Sequence, residues 1–410
     1  MSEMVLVVGA GVSGLAAAVS LAEEGVNARV VEKEPYVGGQ AAQYTCKATD
    51  ECQKCNVCLT PRTIEEARAH PFIDISTGCE LSEVKGSPGQ FSVTLTHNPT
   101  HIDENRCTGC GLCVVKCPEE AISPPHMGQT GFVLNPEKCV HFDGGECEEC
   151  QTQCPADAVN LNAEREREKL DAAAVILAVG HQPFDVKTLG RYSTHSPHVI
   201  SAEEFEREVE PGDTLNKYMN GCERIAFVQC VGSREEADAS YCSRVCCGYA
   251  LRSARFIKNQ LPESELSIFY MDVQNFGKDW AHFREECRQD GVKFIRGKPA
   301  RITVDEQTDH PVRVIYEQVE GEGRQQYPAD MVILSVGIRP SPDRFELAQM
   351  LGVNLNENGF FASAADGVTS SASGIFTAGT CQQPRDIAES VSHGQKAAVE
   401  AISMLKGRCK

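Results

Sequence analysis

The sequence predicts an α/β protein in which two related Rossmann-type nucleotide-binding domains are interrupted by a cysteine-rich module. Three observations lead to this prediction. A G-x-G-x-x-G turn follows an apolar strand near residue 9, the segments 172–183 and 329–340 resemble each other, and eight cysteines between 107 and 154 form two runs that end in Cys-Pro. An internal repeat of this kind is expected of a chain with two domains of one architecture.

The amino-acid composition argues against some classes of function and favours others. The chain has 410 residues, and 39 Lys and Arg against 58 Asp and Glu give a formal charge of -19, which argues against nucleic-acid binding. No apolar run reaches the roughly 18 residues that cross a bilayer. Because the apolar N-terminal stretch has spaced glycines and no basic leader, we expect a cytoplasmic protein. Its 21 cysteines indicate metal or redox chemistry.

The first glycine motif predicts a dinucleotide site. Gly9, Gly11 and Gly14 follow the predicted strand 5–8, and Glu32 closes the next strand, 28–31, where its carboxylate can bond a ribose hydroxyl. The diphosphate would lie at the helix N-terminus, where unpaired N–H groups and the helix dipole favour an anion. The alternative is a glycine-rich turn in an unliganded sheet.

Two further segments resemble flavoproteins with two dinucleotide domains, in particular the thioredoxin-reductase-like superfamily. The resemblance of "KEPYVGGQ" implies FAD and assigns Lys33, Gly38, Gly39 and Gln40 to its site, and "SGIFTAGTCQQPRDI" resembles the closing flavin motif, which adds Gly379, Thr380, Cys381 and Ile387. Cys381 replaces the usual Asp, so another group must bond the ribityl chain. The 172–183 repeat contributes Gly180 and, like 329–340, matches a crossover between domains.

Residues 100–163 predict an inserted ferredoxin module with two 4Fe-4S clusters. The runs C-x2-C-x2-C-x3-C-P and C-x7-C-x2-C-x3-C-P indicate that the fourth cysteine of each run binds the other cluster. The first predicted ligand set is therefore Cys107, Cys110, Cys113 and Cys154, and the second is Cys117, Cys139, Cys147 and Cys150. Zinc ribbons also use C-x2-C pairs, but not two runs of four with Cys-Pro ends.

A second set of cysteines follows the predicted strand "RIAFVQ", where a nicotinamide-binding domain would carry a second glycine fingerprint. Only Gly232 of that fingerprint is present, so we expect no tight NAD(P) binding and describe this domain as a degenerate NAD-type domain. The residues alone leave two alternatives for the cysteines, a 4Fe-4S cluster or a buried reduced pocket. They are Cys230, Cys242, Cys246 and Cys247.

These cysteine motifs, with "IFYMDVQNFGKDW" and "GTCQQPRDI", closely resemble the family of heterodisulfide reductase A subunits and their relatives over nearly the whole chain. The resemblance implies a non-standard 4Fe-4S cluster at the C…C-x3-C-C set, and hence a third cluster. The cysteine-rich segment at 46–58 and the compact size resemble most the A subunit of the quinone-interacting membrane-bound oxidoreductase of sulfate reducers.

That resemblance implies partners and a location. It implies a second flavin and iron-sulfur subunit, a quinone-reactive membrane subunit, and exchange of electrons with adenylylsulfate reductase. The chain would then be attached peripherally to the inner face of the membrane through these partners. The direction of electron flow is not implied.

The heterodisulfide reductase pattern has fewer cysteines after the glycine pair, so the resemblance implies no ligand role for this segment. Cys46, Cys52, Cys55 and Cys58 are spaced C-x5-C-x2-C-x2-C, and a further cluster, a zinc site, a redox-active thiol pair and unligated cysteines all remain open. Cys79, Cys222, Cys287, Cys381 and Cys409 are scattered and are interpreted as packing residues. The charged run 163–170 is interpreted as a solvated helix.

We therefore predict five segments and one main function. The segments are a first part of the FAD domain (1–99), the ferredoxin module (100–163), a return strand (164–190), the degenerate NAD-type domain (191–330) and the last part of the FAD domain (331–410). The function is that of an FAD and iron-sulfur electron-transfer subunit, an oxidoreductase with no side-chain acid or base assigned. The alternatives are a soluble electron-bifurcating complex, an NAD(P)H-dependent flavin reductase and a scaffold with structural FAD.

Overall fold

The computed structural model describes residues 4–49, 51–103, 105–124, 131–208, 215, 219, 221–236, 238–274, 280–317 and 323–408. The strands in these residues are β1 (Val5–Val8), β2 (Ala28–Val31), β3 (Ile73–Ser76), β4 (Cys79–Ser87), β5 (Gln90–His97), β6 (Ile122–Ser123), β7 (Val133–Leu134), β8 (Glu166–Ala172), β9 (Ala174–Leu177), β10 (His181–Pro183), β11 (Val199–Ser201), β12 (Arg224–Val231), β13 (Glu265–Tyr270), β14 (Lys293–Arg296), β15 (Pro299–Val304), β16 (Val312–Glu317), β17 (Arg324–Ala329), β18 (Met331–Val336), β19 (Ile338–Pro340) and β20 (Ile375–Thr377).

The described helices connect these strands. They are α1 (Val12–Glu23), α2 (Leu59–Ala69), α3 (Leu112–Lys116), α4 (Glu149–Thr152), α5 (Ala202–Glu208), α6 (Cys246–Gln260), α7 (Trp280–Gln289), α8 (Arg344–Leu351) and α9 (Ile387–Arg408). None of them is both long and apolar enough to span a bilayer.

The first domain is built on a parallel sheet with the strand order β20-β9-β1-β2-β3. Val5–Val8 is fully apolar and pairs with β2 on one side and β9 on the other, so it is the central strand. Helices α1, α2 and α9 cover one face, where alternate strand residues meet small helix residues such as Ala17, Ala397 and Ala401. The antiparallel sheet β4-β5-β8 covers the other face. This is the three-layer arrangement that a dinucleotide-binding domain requires.

The second domain repeats the same three layers. Its parallel sheet has the strand order β11-β18-β12-β13-β14, with α6 packed on one face and the antiparallel sheet β15-β16-β17 on the other. Strand β12 pairs with β13 and β18 and is buried from Ile225 to Val231. The prediction of two Rossmann-type domains is therefore confirmed.

The internal repeat forms the connection between the two domains. His181–Pro183 follows β9 of the first sheet, Ile338–Pro340 follows β18 of the second, and the two pair antiparallel. The two crossovers thus lie side by side as a two-stranded ribbon. Since Met331–Val336 is a strand of the second sheet, the crossover comes later than the boundary predicted between 330 and 331, which we correct accordingly.

The inserted module lies between β5 and β8. It contains the small hairpin β6-β7 and two short helices, and its core includes Ile102, Ile122, Leu134 and Val159. The expectation of a solvated helix at 163–170 is wrong, because Glu166–Ala172 pairs with β5 along its length. Arg167, Lys169 and Asp171 lie on the exposed face, whereas Leu170 and Ala172 face the core. Glu168 shares the inner face and is half-buried, where its carboxylate pairs with Arg29 at 2.8 Å.

Candidate functional site

One long cavity of about 610 Å³ runs between the carboxyl ends of the first sheet and the second domain. Its volume is within the range of cofactor sites, and its position at the strand ends is where open α/β sheets bind ligands. Ten of the thirteen residues that the sequence assigned to the cofactor line it: Gly9, Gly11, Glu32, Lys33, Gly38, Gly39, Gln40, Gly180, Thr380 and Ile387.

The glycine turn has two different steric requirements. A β-carbon at Gly14 would lie 1.9 Å from the carbonyl oxygen of Gly9, so this glycine permits close packing of α1 on the strand. A β-carbon at Gly11 would meet nothing within 4 Å, and Gly11 lines the cavity. The open space above Gly11 is therefore available to a diphosphate.

Polar groups of the first domain point into this space. The Glu32 carboxylate accepts hydrogen bonds from the N–H of Ala10 at 2.7 Å and of Glu34 at 3.0 Å, so it fixes the glycine turn from the end of β2. Burial raises the pKa of Glu32. Ser13 lines the cavity in the first turn of α1, and its buried hydroxyl has no partner in the described part of the chain. These features fit a bound dinucleotide.

The closing motif forms the far wall. Thr380 bonds His181 at 2.9 Å (Oγ1 to Nδ1), and burial lowers the pKa of His181 to about 4, so its ring is neutral. Arg385 donates to the carbonyl oxygen of Gly379 at 2.8 Å and also lines the cavity. His181 and Arg385 were not singled out from the sequence, although each lies within a quoted motif.

His393 of α9 fixes the same loop from behind. Its Nδ1 accepts the N–H of Gly379 at 2.8 Å, and its Nε2 donates to the carbonyl oxygen of Gly367 at 2.8 Å. Burial, followed by the charge of Arg385, lowers the pKa of His393 to about 4. The neutral ring can thus make both bonds at once.

The placement of Cys381 corrects one prediction. Its side chain is 1% exposed and does not line the cavity, because the thiol donates to the carbonyl oxygens of Leu177 and Ala378, each at 3.2 Å. It is a core residue that does not line the cavity, so its assignment to the cofactor site is corrected, and its burial agrees with the packing role. Gly14 and Gly379 also lie behind the cavity wall, where they allow close packing.

The ferredoxin module brings the two predicted ligand sets together separately. One small cavity is lined by Cys107, Cys110, Cys113 and Cys154, and a second by Cys117, Cys139, Cys147 and Cys150. Each set combines three cysteines of one run with the Cys-Pro cysteine of the other, as the spacing predicts. Burial and the neighbouring thiols raise the pKa of Cys150 to about 11.

The two Cys-Pro turns have the same local structure. Cys117 Sγ accepts the N–H of Ala121 at 3.2 Å, and Cys154 Sγ accepts the N–H of Ala158 at 3.3 Å. Glu120 and Asp157, one residue before each donor, both have positive φ. Backbone N–H bonds to the sulfur atoms stabilise thiolates, which suits an iron-sulfur cluster.

The second domain groups four cysteines at the carboxyl end of β12. The strand has a register shift between Val228 and Val231, and Cys230 within it has a φ of 59°. A bulge of this kind redirects a side chain. Cys230 is thereby turned to Cys246 and Cys247, which begin α6. Cys242 lies in the preceding loop, and its Sγ accepts the N–H of Arg244 at 3.3 Å.

The electrostatics favour thiolate at two of these cysteines, Cys230 and Cys247. Hydrogen bonds to these two raise the pKa of Cys246, and burial raises the pKa of Cys242. The hydrogen bond from Cys246, together with the Arg234 guanidinium, lowers the pKa of Cys230 to about 7. The hydrogen bond from Cys246 also lowers the pKa of Cys247. A helix N-terminus and a nearby arginine are the environment in which cysteines become reactive or ligate metals.

The space where a second glycine fingerprint would bind a diphosphate is filled. A β-carbon at Gly232 would lie 2.1 Å from the Phe184 ring, which comes from the segment after β10. Arg339 of β19 covers that ring, with its guanidinium carbon 4.8 Å from the centroid. The turn after β12 is therefore occupied by Phe184, a residue that no sequence motif singles out.

Several polar contacts join the two domains around the cavity. Arg244 pairs with Glu389 of α9 at 2.6 Å, and Lys47 lies 3.6 Å from the Glu206 carboxylate in a buried pair. Arg252 of α6 donates to the carbonyl oxygen of Gln53 at 2.9 Å.

The remaining cysteines have separate environments. Cys55 lines the large cavity, whereas Cys46, Cys52 and Cys58 are exposed. Cys79 and Cys287 are buried, Cys222 is half-buried, and Cys409 lies outside the described residues. No three His, Cys, Asp or Glu side chains among the described residues converge on a single metal ion. This includes the ferredoxin sets, whose members would each bind a separate iron of a cubane.

Comparisons with known proteins agree with this architecture. The family models that match are an NAD(P)-binding Rossmann-like domain at residues 7–71, a 4Fe-4S dicluster domain at 106–158 and a pyridine nucleotide-disulphide oxidoreductase at 266–401. Among solved structures, the thioredoxin reductase of T. acidophilum has a TM-score of 0.54 at 16% identity, with 98% of each chain covered. The NAD-dependent persulfide reductase of A. fulgidus has a TM-score of 0.52 at 16% identity, with 96% of this chain and 58% of that chain covered. At these identities the likeness concerns the fold.

Curated relatives are similar over nearly the whole chain. The iron-sulfur A subunit of the CoB–CoM heterodisulfide reductase of Methanocaldococcus jannaschii is 34% identical over 427 residues, which is 97% of this chain and 64% of that protein. A protein of Archaeoglobus profundus that is described as like the heterodisulfide reductase A subunit is 30% identical over 480 residues, which is 98% of this chain and 66% of that protein. The chain thus spans slightly less than two thirds of these relatives. It has FAD-binding and 4Fe-4S dicluster domains, and it belongs to the family of homologues of the heterodisulfide reductase A subunit.

Proposed function

We propose that this chain is the FAD and iron-sulfur electron-transfer subunit of a multisubunit oxidoreductase. The observation that carries the proposal is the group of four cysteines at the carboxyl end of β12, where a nicotinamide-binding domain has a glycine turn. These cysteines are Cys230, Cys242, Cys246 and Cys247, and in our proposal they hold a third, non-standard 4Fe-4S cluster. Several curated relatives are named as subunits of heterodisulfide reductases, which supports membership of a complex.

The position of this group supports a relay toward the cofactor cavity. Cys246 and Cys247 begin α6. The cavity is lined by residues on one side of this helix and its N-terminal end, which are Val245, Tyr249 and Arg252. Residues at i, i+4 and i+7 lie on one side of a helix. FAD supplies conversion between two-electron and one-electron transfer when it is bound. The protein's part is to hold both redox sites against one helix.

The residues proposed to hold FAD are those that line its cavity. The glycine turn and the α1 N-terminus would accept the diphosphate, Glu32 the ribose, and the region around Thr380, Arg385 and Ile387 the remaining part. The eight ferredoxin cysteines would hold two clusters in the sets given above.

The finer assignment concerns the partners. We propose a quinone-linked complex of sulfate reduction, with a second flavin and iron-sulfur subunit, with a quinone-reactive membrane subunit, and with adenylylsulfate reductase as an electron partner. Support comes from the resemblance of the cysteine-rich 46–58 segment to that subunit type. In this proposal the chain is attached to the inner face of the membrane through its partners. A soluble electron-bifurcating complex is the second candidate, supported by relatives named as hydrogen-dependent and ferredoxin-dependent heterodisulfide reductase subunits.

The third cluster is tested by metal analysis of the full chain. We expect the Cys247→Ser variant, purified without oxygen and reconstituted with iron and sulfide, to lose about four iron atoms per chain while it retains FAD. The matched control is Cys222→Ser, at a half-buried cysteine outside this group, which should keep all its iron. Equal iron content in the two variants would contradict the cluster.

The proposed partners must be tested on the assembled complex. We expect antibody capture of the chain from solubilised membranes to recover a quinone-reactive subunit, and a quinol to reduce the captured flavin. Recovery from the soluble fraction only, with a ferredoxin-dependent activity, would instead support the bifurcating complex.

A further inference from the structure

We propose that Cys46, Cys52, Cys55 and Cys58 bind a fourth 4Fe-4S cluster at the edge of the cofactor cavity. This site lies outside the ferredoxin module and outside the cysteine group of β12, so it goes beyond the function proposed above. The structure describes the whole segment except residue 50.

The backbone of this segment repeats the cluster-binding loop of the ferredoxin module. Both loops have the spacing C-x2-C-x2-C, at 52–58 and at 107–113. In the ferredoxin loop the residues on either side of the middle cysteine, Gly109 and Gly111, each have a φ of 73°. In the segment at 52–58 the corresponding residues, Lys54 and Asn56, have φ values of 51° and 62°.

The hydrogen bonds agree with this correspondence. Leu59 donates its N–H to the carbonyl oxygen of Asn56 at 3.0 Å, and Val114 at the equivalent position donates to Gly111 at 3.1 Å. A helix begins at the end of each loop, α2 directly after Cys58 and α3 at Leu112, one residue before Cys113. The N–H of Lys54 also points to Cys52 Sγ at 3.4 Å. The loop at 52–58 therefore has the cluster-binding conformation of its ferredoxin counterpart.

The conformation is informative because the residues in it are not glycine. A positive φ is unfavourable for Lys, and less so for Asn, because of the β-carbon. Consecutive turns with left-handed residues aim backbone N–H groups into a concavity that binds anions, including iron-sulfur clusters. A negatively charged cluster at its centre accounts for a loop shape that the side chains disfavour.

Surrounding residues supply positive charge and a connection to the other redox sites. Arg252 of α6 donates to the carbonyl oxygens of Gln53 at 2.9 Å and Lys54 at 3.1 Å, so it clamps the loop. Its guanidinium carbon lies 4.9 Å from the Trp280 ring centroid, which holds the side chain in place. Cys55 lines the cofactor cavity. Because α6 rises 1.5 Å per residue, Arg252 lies about 9 Å along the helix from Cys246.

A zinc ion is the main alternative to a 4Fe-4S cluster at this site. A zinc ion requires four side chains around one point at about 2.3 Å, and among the described residues no three ligand side chains meet that requirement. The ferredoxin sets do not meet it either, although their segment matches a dicluster domain. The segment at 46–58 thus lacks the convergence of side chains that a single zinc ion requires.

The experiment is an iron, sulfide, zinc and flavin analysis of the full chain, purified without oxygen and reconstituted with ferrous iron and sulfide. We expect about 16 iron atoms per flavin in the parent if the β12 cluster is present, and a loss of about four in the double variant Cys52→Ala, Cys58→Ala, whose two cysteines are exposed and do not line the cofactor cavity. Flavin content should not change. Cys222→Ser is again the matched cysteine control.

Two loop variants keep the test decisive if the double variant does not fold. Asn56→Gly favours a positive φ and should keep all the iron, whereas Asn56→Val opposes it and should lose about four iron atoms with FAD retained. Unchanged iron in the double variant and in Asn56→Val would overturn the proposal, as would one zinc lost in place of the iron. Failure of the β12 cluster is recognised separately, because the parent then holds about 12 iron atoms and Cys247→Ser loses none, whereas the double variant still loses about four.

Discussion

Two glycines of the glycine turn have different roles: Gly14 permits the packing of the fold, and Gly11 leaves space for the cofactor. A methyl group at Gly14 would overlap the carbonyl oxygen of Gly9, whereas a methyl group at Gly11 would enter the open cavity. The two glycines are neighbours in the motif but have separable roles. The same substitution at each position therefore has different consequences.

We expect Gly14→Ala to destabilise the first domain by about 1–3 kcal/mol, because the helix must move away from the strand. Gly11→Ala should unfold normally but bind FAD roughly tenfold more weakly or worse, because its β-carbon occupies the diphosphate space. Thermal unfolding of the flavin-free chain and titration with FAD measure the two effects. Equal loss of stability in both variants would contradict the distinction.

The role of a residue could be predicted from the sequence only where the spacing of residues within a short segment determines that role. The glycine turn, Glu32 and the two ferredoxin sets could be located because each depends on spacing within a short segment. Cys381 could not, because its direction depends on carbonyl oxygens of Leu177 and Ala378 that tertiary packing places beside it. Phe184 was missed for a similar reason, since it reaches Gly232 from about 50 residues away in the chain.

At the scale of elements, α9 connects the cavity wall to the core through His393. Its neutral ring accepts the Gly379 N–H and donates to Gly367, and protonation would remove the acceptor. The folded-state pKa of about 4 is below the ordinary value of 6.5. The unfolded chain therefore binds the proton more readily, and this contribution to stability is complete above about pH 6.5 and is lost as the pH falls toward 4.

We expect the parent chain to lose about 1–2 kcal/mol of stability from this residue between pH 7 and pH 5. In His393→Asn the amide oxygen can accept the same N–H without titrating, so the loss should be smaller. The temperature of flavin release, followed by flavin fluorescence at several pH values, measures it. Parallel pH profiles for the parent and the variant would show that His393 does not titrate in this range.

The elements also show where sequence patterns mislead. The segment 163–170 is dense in charge, which favours a solvated helix, yet Glu166–Ala172 is a strand because β5 offers an edge to pair with. Strands β9 and β18 can be recognised from their apolar runs. The domain boundary was misplaced at 330 because an apolar strand does not reveal which of two similar sheets it joins.

The whole molecule has two dinucleotide-type domains, and an open cavity of about 610 Å³ lies between them. The corresponding turn of the second domain is closed by Phe184 and adjoins the cysteine group. A reductase driven by a nicotinamide would need that turn to be open. This chain shares its fold with thioredoxin reductases, but the fold alone does not determine which molecule donates the electrons.

We expect NADH and NADPH to leave the flavin of the isolated chain oxidised over minutes, whereas a one-electron donor such as reduced ferredoxin or dithionite bleaches it. Anaerobic absorbance at the flavin band is the measurement. Rapid bleaching by either nicotinamide would support the flavin reductase alternative. A flavin that stays oxidised while the assembled complex turns over would support a structural role for FAD.

The contacts across the cavity have a mechanical consequence. A pivot about the ribbon of β10 and β19 would have to break the Arg244–Glu389 pair, the buried Lys47–Glu206 pair and the Arg252 clamp together. These contacts oppose a rotation of one domain against the other, so we expect the distance between the cysteine group of β12 and the cofactor cavity to stay the same during turnover. This arrangement suits electron transfer between redox sites at constant distances, in which partner proteins bind to the molecule and none of its domains has to move to reach them.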